Sequence, residues 1–241
     1  MKKDFKIVLI VLALVVVLAA GCIANFFSSS LFIGAASFNG GGVYAMAEEC
    51  FLVCLNKSQN SHEAEVIAGD FIDAGNAGYI FKHGDYYYAV HSAYANKNDA
   101  TLFAEHLKKG GIQSEILQLS FPKIFIEEDL SAENRNLLSE ALNSFFAAFK
   151  ALSDISVGFS TNVYGLDDVN EKLQKLCDRT ASLQKKYAET FQNASAKLTA
   201  LGEYLADELE CLMLIKTSES DLNYHGIELI EIYQNMIQEL K

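Results

Sequence analysis

Apolar side chains recur at helical spacing in two stretches of the chain that lie 36 residues apart. In the first stretch they occupy positions i, i+3, i+4 and i+7, and the second stretch repeats that order. These positions are Ala64, Ile67, Ala68 and Phe71, followed by Ala100, Phe103, Ala104 and Leu107. The spacing predicts two short helices, each with one apolar face, and the alanines let each helix approach the surface that it covers.

Residues that favour strands flank both predicted helices. The strand segments are Tyr44–Leu55, Tyr79–Phe81, Asp85–Tyr94 and Ser114–Leu119. The turn signal His83–Asp85 predicts a hairpin between the two halves, and Gly75 and Gly111 predict the ends of the helices. Two β-α-β units of this kind predict an α+β fold class, in which two helices cover one face of a four-stranded antiparallel sheet.

Beyond Pro122 the pattern changes to long stretches with helical periodicity. We expect a first helix from about residue 131 to residue 156, with Ser131 as its N-cap, and a last helix from about residue 221 to residue 240. Between them a helix begins after Asp167, and it forms one long rod if it continues through Leu212. Because such apolar stripes have to be buried, we expect residues 121–241 to form an all-α helical hairpin or small bundle.

The N-terminal segment has the features of a membrane anchor. The run Ile7–Phe27 contains no charged residue and is long enough to cross a bilayer core of roughly 30 Å. Lysines precede it, which predicts a transmembrane helix with residues 1–6 as a cytoplasmic stub and the rest of the chain outside the cytoplasm. Residues 28–42 then form a linker to the repeat domain. A lipoprotein lipidated at Cys22 and a cleaved signal peptide are the alternatives.

The charge of the chain limits the classes of partner. Residues 43–120 carry 5 basic and 10 acidic side chains, and residues 121–241 carry 11 and 20. Nucleic acids and anionic membrane surfaces are bound through clustered Lys and Arg. The composition therefore predicts no nucleic-acid partner.

Residues with catalytic or metal-binding chemistry are scattered along the chain. No serine or cysteine has the glycine-flanked setting of a nucleophile elbow. A zinc site made of Cys50, Cys54 and His91 would lack a fourth ligand, and Cys-x3-Cys on a strand fits such a site poorly. Cys177 and Cys211 could form a disulfide only if their helices pack side by side, and buried thiols are the favoured interpretation. We expect a non-catalytic protein without a metal or another cofactor.

The repeat resembles a known bacterial family. The stretches Cys50–Ile80 and Tyr88–Ile116 resemble the two halves of the sporulation-related repeat, the SPOR domain, over about residues 43–120. The resemblance rests on a pattern of small and apolar residues. It implies that the domain binds peptidoglycan glycan strands without stem peptides, at division or sporulation septa, through the sheet face opposite the helices.

The predicted glycan-binding face combines side chains from the first and third strands. Strand alternation and the resemblance together select Leu52, Cys54, Lys57, Tyr86, Tyr88 and Val90. Tyrosine rings can stack on sugars and still form hydrogen bonds. SPOR domains often have a glutamine and a serine near the end of the first strand, and an aromatic with a basic residue on the third. At the matching positions this chain has Cys54, Lys57, Tyr86 and Tyr88, so that only the aromatic is kept.

Two functions are expected from these features. In the first, the chain is a membrane-anchored, extracytoplasmic protein of the cell division or sporulation type that binds peptidoglycan. In the alternative, it is a protein–protein interaction scaffold in which the SPOR-like sheet packs against the C-terminal helices. The same tyrosines would then belong to a second core layer, and the helical region would bind a protein partner.

Overall fold

The computed structural model describes residues 42–74 and 76–241. The predicted anchor Ile7–Phe27, the alternative lipidation site Cys22, linker residues 28–41 and the predicted helix stop Gly75 lie outside these residues. In the part of the chain that the structure describes, no helix is both long enough and apolar enough to span a bilayer.

The described elements comprise six strands and six helices. In chain order they are β1 (Gly42–Ala45), β2 (Glu48–Ser58), α1 (Ser61–Asp73), β3 (Tyr79–His83), β4 (Tyr86–Tyr94), α2 (Lys97–Lys109), β5 (Glu115–Phe121), β6 (Ile124–Glu127), α3 (Ala132–Ser160), α4 (Leu166–Thr190), α5 (Ala196–Leu214) and α6 (Glu219–Leu240).

The larger sheet contains the two repeat units. Its four strands are antiparallel and lie in the order β3-β4-β2-β5, so that β4 and β2 are the inner strands. The hairpin between β3 and β4 turns at Gly84, whose φ of +59° favours glycine. Both repeat helices begin in the same way, because the side chains of Asn60 and Asn96 each accept a hydrogen bond from a backbone N–H of the first turn. The 36-residue repeat therefore extends to the helix caps.

Helices α1 and α2 cover one face of the larger sheet. Ala64, Ala68 and Ala100 are almost fully buried against it, which agrees with the predicted apolar stripes. On the same face the ring of Tyr94 stacks on Phe103, with ring centres 5.0 Å apart. Small residues at the contact let the helices approach the strands closely.

Strands β1 and β6 form a second, two-stranded antiparallel sheet. Its register pairs Val43 with Ile126 and Tyr44 with Phe125. The rings of Tyr44 and Phe125 are in contact, with centres 4.7 Å apart. This sheet joins the segments before and after the repeat units.

The four C-terminal helices form an antiparallel bundle with short connections. Ser131 caps α3 as predicted, accepting a hydrogen bond from the Asn134 N–H. The predicted rod is divided into α4 and α5. The chain turns after Phe191, which is buried against Tyr187, and the Tyr187 hydroxyl donates to the Leu198 carbonyl across the turn.

The predicted fold class was wrong. The described chain contains two antiparallel sheets, whereas one was predicted. Its bundle has four helices, because α4 and α5 replace the single long rod that was predicted between the first and last helices. The predicted transmembrane helix is not among the described elements. The second sheet was missed because its strands have four residues each, which is too short for a clear period-2 pattern.

Replacement of Ala100 by leucine tests the close approach of α2 to the sheet. Ala100 is fully buried, so the larger side chain should overpack the contact and lower the free energy of unfolding by about 1–3 kcal/mol. Leu102 on the same helix is 55% exposed, and its replacement by alanine is the matched control. Urea unfolding measures both variants, and equal stability of the two would contradict the assigned helix face.

Candidate functional site

Most residues of the predicted glycan-binding face are buried. Leu52, Cys54 and Val90 have no exposed surface, and Tyr88 is 4% exposed. All four belong to one continuous hydrophobic core that also contains residues of α3 to α6. The structure thus brings the predicted residues together on one face, as strand alternation requires, but places that face inside the molecule.

Helix α6 covers this face. The Tyr79 hydroxyl on β3 donates a hydrogen bond to the Glu231 carboxylate on α6, and the ring of Tyr79 meets that of Tyr224 with centres 4.8 Å apart. Burial is the main cause that raises the pKa of Tyr79 far above its usual value. Further along α6, the ring of Tyr233 packs edge-on against Phe121 at the end of β5, at 4.9 Å between centres.

Two predicted residues remain at the surface, at the end of the sheet beside the β3–β4 turn. Lys57 is exposed, and its Nζ lies 4.0 Å from the centre of the half-buried Tyr86 ring. A hydrogen bond with the Tyr88 hydroxyl is the main cause that raises the pKa of Lys57. An aromatic ring with a cation over its face is therefore the part of the predicted site that a ligand could contact.

The bundle contains a buried carboxyl group that was not predicted from the sequence. Glu208 on α5 is fully buried, and it accepts hydrogen bonds from Ser144 on α3 at 3.0 Å and from Thr180 on α4 at 3.3 Å. Burial raises its pKa to about 7, partly offset by these two hydrogen bonds. The helical spacing of the sequence contains an indication of this burial, since Glu208 lies on the apolar stripe between Leu205 and Leu212.

The cysteines and histidine of the disfavoured zinc site lie in separate settings. Cys50 and Cys54 are buried in the core, and burial raises the pKa of the Cys54 thiol to about 12. His91 lies beside a bulge in β4 and contacts the Ser92 hydroxyl at 3.0 Å. All four described cysteines, including Cys177 and Cys211, are free thiols.

No protein-family model, curated protein or solved structure matches the chain. The resemblance to SPOR domains therefore stays an interpretation of the residue pattern.

The buried Glu208 predicts a specific pH dependence of stability. Its pKa is about 7 in the folded chain, whereas the usual value for an exposed glutamate is 4.5. Between these pH values the folded chain keeps the proton that the unfolded chain has lost. The free energy of unfolding should therefore fall as the pH rises through this window, by about 3 kcal/mol in total.

Urea unfolding of the wild type, Glu208→Gln and Glu210→Gln from pH 4.5 to pH 8 measures this contribution. The neutral amide side chain of Glu208→Gln should remove the downward slope and leave a variant that is more stable than the wild type at pH 8. Glu210 is an exposed residue of the same helix, so its variant should keep the slope of the wild type. Parallel pH profiles for the wild type and Glu208→Gln would contradict the assignment.

Proposed function

We propose that the chain is a non-catalytic scaffold that binds a protein partner through its helical bundle, with the SPOR-like sheet as the packing surface for that bundle. The observation that supports this proposal is the burial of Leu52, Cys54, Tyr88 and Val90 in a core that they share with the bundle helices. A glycan strand cannot stack on rings that a helix already covers.

One end of the bundle presents apolar side chains to solvent. The α3–α4 turn and the α5–α6 turn share this end, where Thr217 is hydrogen-bonded to Asn170 and Ser160 to Glu219. The exposed apolar residues there are Val163 (70%), Leu166 (56%), Met213 (69%) and Leu214 (57%). We call these four residues the bundle-end surface. Large apolar side chains that stay exposed together are typical of interaction sites.

The α3–α4 turn beside this surface is held in place by close packing. The ring of Tyr164 lies against Gly158 so closely that a Cβ at position 158 would overlap it. Glycine at this position lets the turn fold back onto α3. Val163 is therefore presented by an ordered turn, which lowers the entropic cost of binding a partner.

Acidic residues surround the bundle-end surface. The first turns of α4 and α6 contribute Asp167, Asp168, Glu219 and Asp221. The helix dipole favours negatively charged side chains at helix N-termini. The complementary partner is a protein segment with apolar side chains flanked by Lys or Arg.

A second candidate function is the binding of peptidoglycan glycan strands at the end of the sheet. It is favoured by the Lys57–Tyr86 pair, where an aromatic ring and a basic group reach the surface together. Membrane attachment through Ile7–Phe27 and an extracytoplasmic location stay predictions from the sequence.

Site-specific photo-crosslinking tests the scaffold function. A photoreactive amino acid in place of Met213, in the full chain in cells that produce it, should give one discrete protein adduct whose crosslinked peptide is apolar and flanked by Lys or Arg. The same amino acid in place of Leu102 is the control, because Leu102 is 55% exposed but lies on α2. Equal adducts at both positions, or adducts with lipid or with other copies of this chain, would contradict the proposal.

Sedimentation with cell-wall sacculi separates the two candidates. If the chain is a scaffold, replacing Tyr86 by alanine should leave the fraction of full chain that sediments with amidase-treated sacculi unchanged. If glycan strands bind at the Lys57–Tyr86 pair, the same replacement removes the ring on which a sugar stacks and should lower that fraction severalfold. Such a loss would establish the second candidate in place of the first.

A further inference from the structure

Three different metal-ligand groups meet where α5 packs against α6. Cys211 lies near the end of α5, and His225 and Glu228 lie one helical turn apart on α6. The Cys211 Sγ is 3.7 Å from His225 Nδ1, and the same nitrogen is 2.7 Å from a Glu228 carboxylate oxygen. Among the described residues, this is the group of His, Cys, Asp and Glu side chains whose ligand atoms all lie within 4.8 Å of one another.

The geometry does not suit nucleophilic catalysis. In a cysteine–histidine–acid relay the thiol and the acid contact opposite nitrogens of the imidazole ring. Here the thiol and the carboxylate approach the same nitrogen, Nδ1. Burial also raises the pKa of the Cys211 thiol well above its ordinary value, which makes it a poor nucleophile.

The same convergence suits a metal ion. With Zn–S near 2.3 Å and Zn–N near 2.0–2.1 Å, two tetrahedral ligands of these types lie about 3.5 Å apart. The observed distance of 3.7 Å between Cys211 Sγ and His225 Nδ1 is close to that value. The Glu228 oxygen would have to move slightly away from the nitrogen, and its side chain, 33% exposed, has room to do so.

We propose that Cys211, His225 and Glu228 bind one Zn²⁺ ion that links α5 to α6. A thiolate, an imidazole and a carboxylate form a donor set that favours zinc over calcium or magnesium, which prefer oxygen ligands. Three protein ligands leave a fourth position for water or for a group of another molecule. Binding releases the Cys211 thiol proton to solvent.

The position of the site allows an ion to enter and gives it a structural effect. Cys211 and His225 are 3% and 9% exposed, whereas the Glu228 side chain is 33% exposed and connects the group to the surface. The ion would hold the last turn of α5 on α6, directly before Met213 and Leu214. The proposal does not depend on the scaffold function, because its test measures metal binding alone.

Titration of the purified full chain with Zn²⁺ and with Co²⁺, in a reducing buffer that does not chelate metals, tests this site. One equivalent of Zn²⁺ should bind and raise the melting temperature, because the ion binds the folded chain only. Co²⁺ should give a near-ultraviolet thiolate-to-metal absorption band. Cys211→Ser should abolish the band, and Cys211→Ser, His225→Gln and Glu228→Gln should each lower the Zn²⁺ affinity by at least about tenfold.

The chain offers a matched control for the His–Glu pair. His62 and Glu65 have the same i, i+3 spacing on α1, at 3.6 Å, but they are exposed and have no cysteine beside them. The double variant His62→Gln/Glu65→Gln should bind Zn²⁺ like the wild type. Circular dichroism confirms that each variant is folded, and the Co²⁺ band of the wild type is a readout that needs no variant. The proposal would be overturned if the wild type gave no Co²⁺ thiolate-to-metal band. It would also be overturned if only the His62→Gln/Glu65→Gln variant had a lower Zn²⁺ affinity.

Discussion

Burial of the second face of the larger sheet is the constraint on which the rest of the structure depends. Leu52, Cys54, Phe81, Tyr88 and Val90 place apolar surface on the side that α1 and α2 do not cover. Each large apolar side chain exposed to water costs about 1.5–3 kcal/mol, so exposing this face would cost on the order of 10 kcal/mol. That is comparable with the whole stability of a typical domain, about 5–15 kcal/mol. Separation of α6 from the sheet would therefore cost a large part of the stability of the protein.

This constraint explains why the bundle and the sheet share one core. The aromatic rings of Phe121, Phe146 and Tyr233 join β5, α3 and α6, with centres 4.9–6.3 Å apart. Ser153 on α3 accepts a hydrogen bond from the Ala95 backbone N–H just after β4. The end of the sheet at Lys57 and Tyr86 and the bundle-end surface both lie outside this shared core.

The sequence predicts the local elements better than their assembly. The stripes of α1 and α2, the turn at Gly84 and the Ser131 cap follow from local chemistry. The six consecutive apolar residues Cys50–Leu55 also indicate a strand buried on both faces, so that strand alternation alone does not predict an open face. The break after Phe191 was missed because the helical spacing of apolar residues continues across it. The clusters around Glu208 and Cys211 depend on which helices pack side by side, and periodicity within one helix does not contain that information.

The covered sheet face leads to a functional account in which the larger sheet serves as a platform for the helical bundle. Hydroxyl-radical footprinting of the tyrosines in the intact chain tests this account most directly, with and without added glycan strands. Tyr224, which is 37% exposed, should be oxidised readily, whereas Tyr88 and Tyr233, at 4% and 2%, should be protected to a similar degree and unaffected by glycan. Oxidation of Tyr88 at the rate of Tyr224, suppressed by added glycan, would show that the face opens and binds sugar, and would contradict the account.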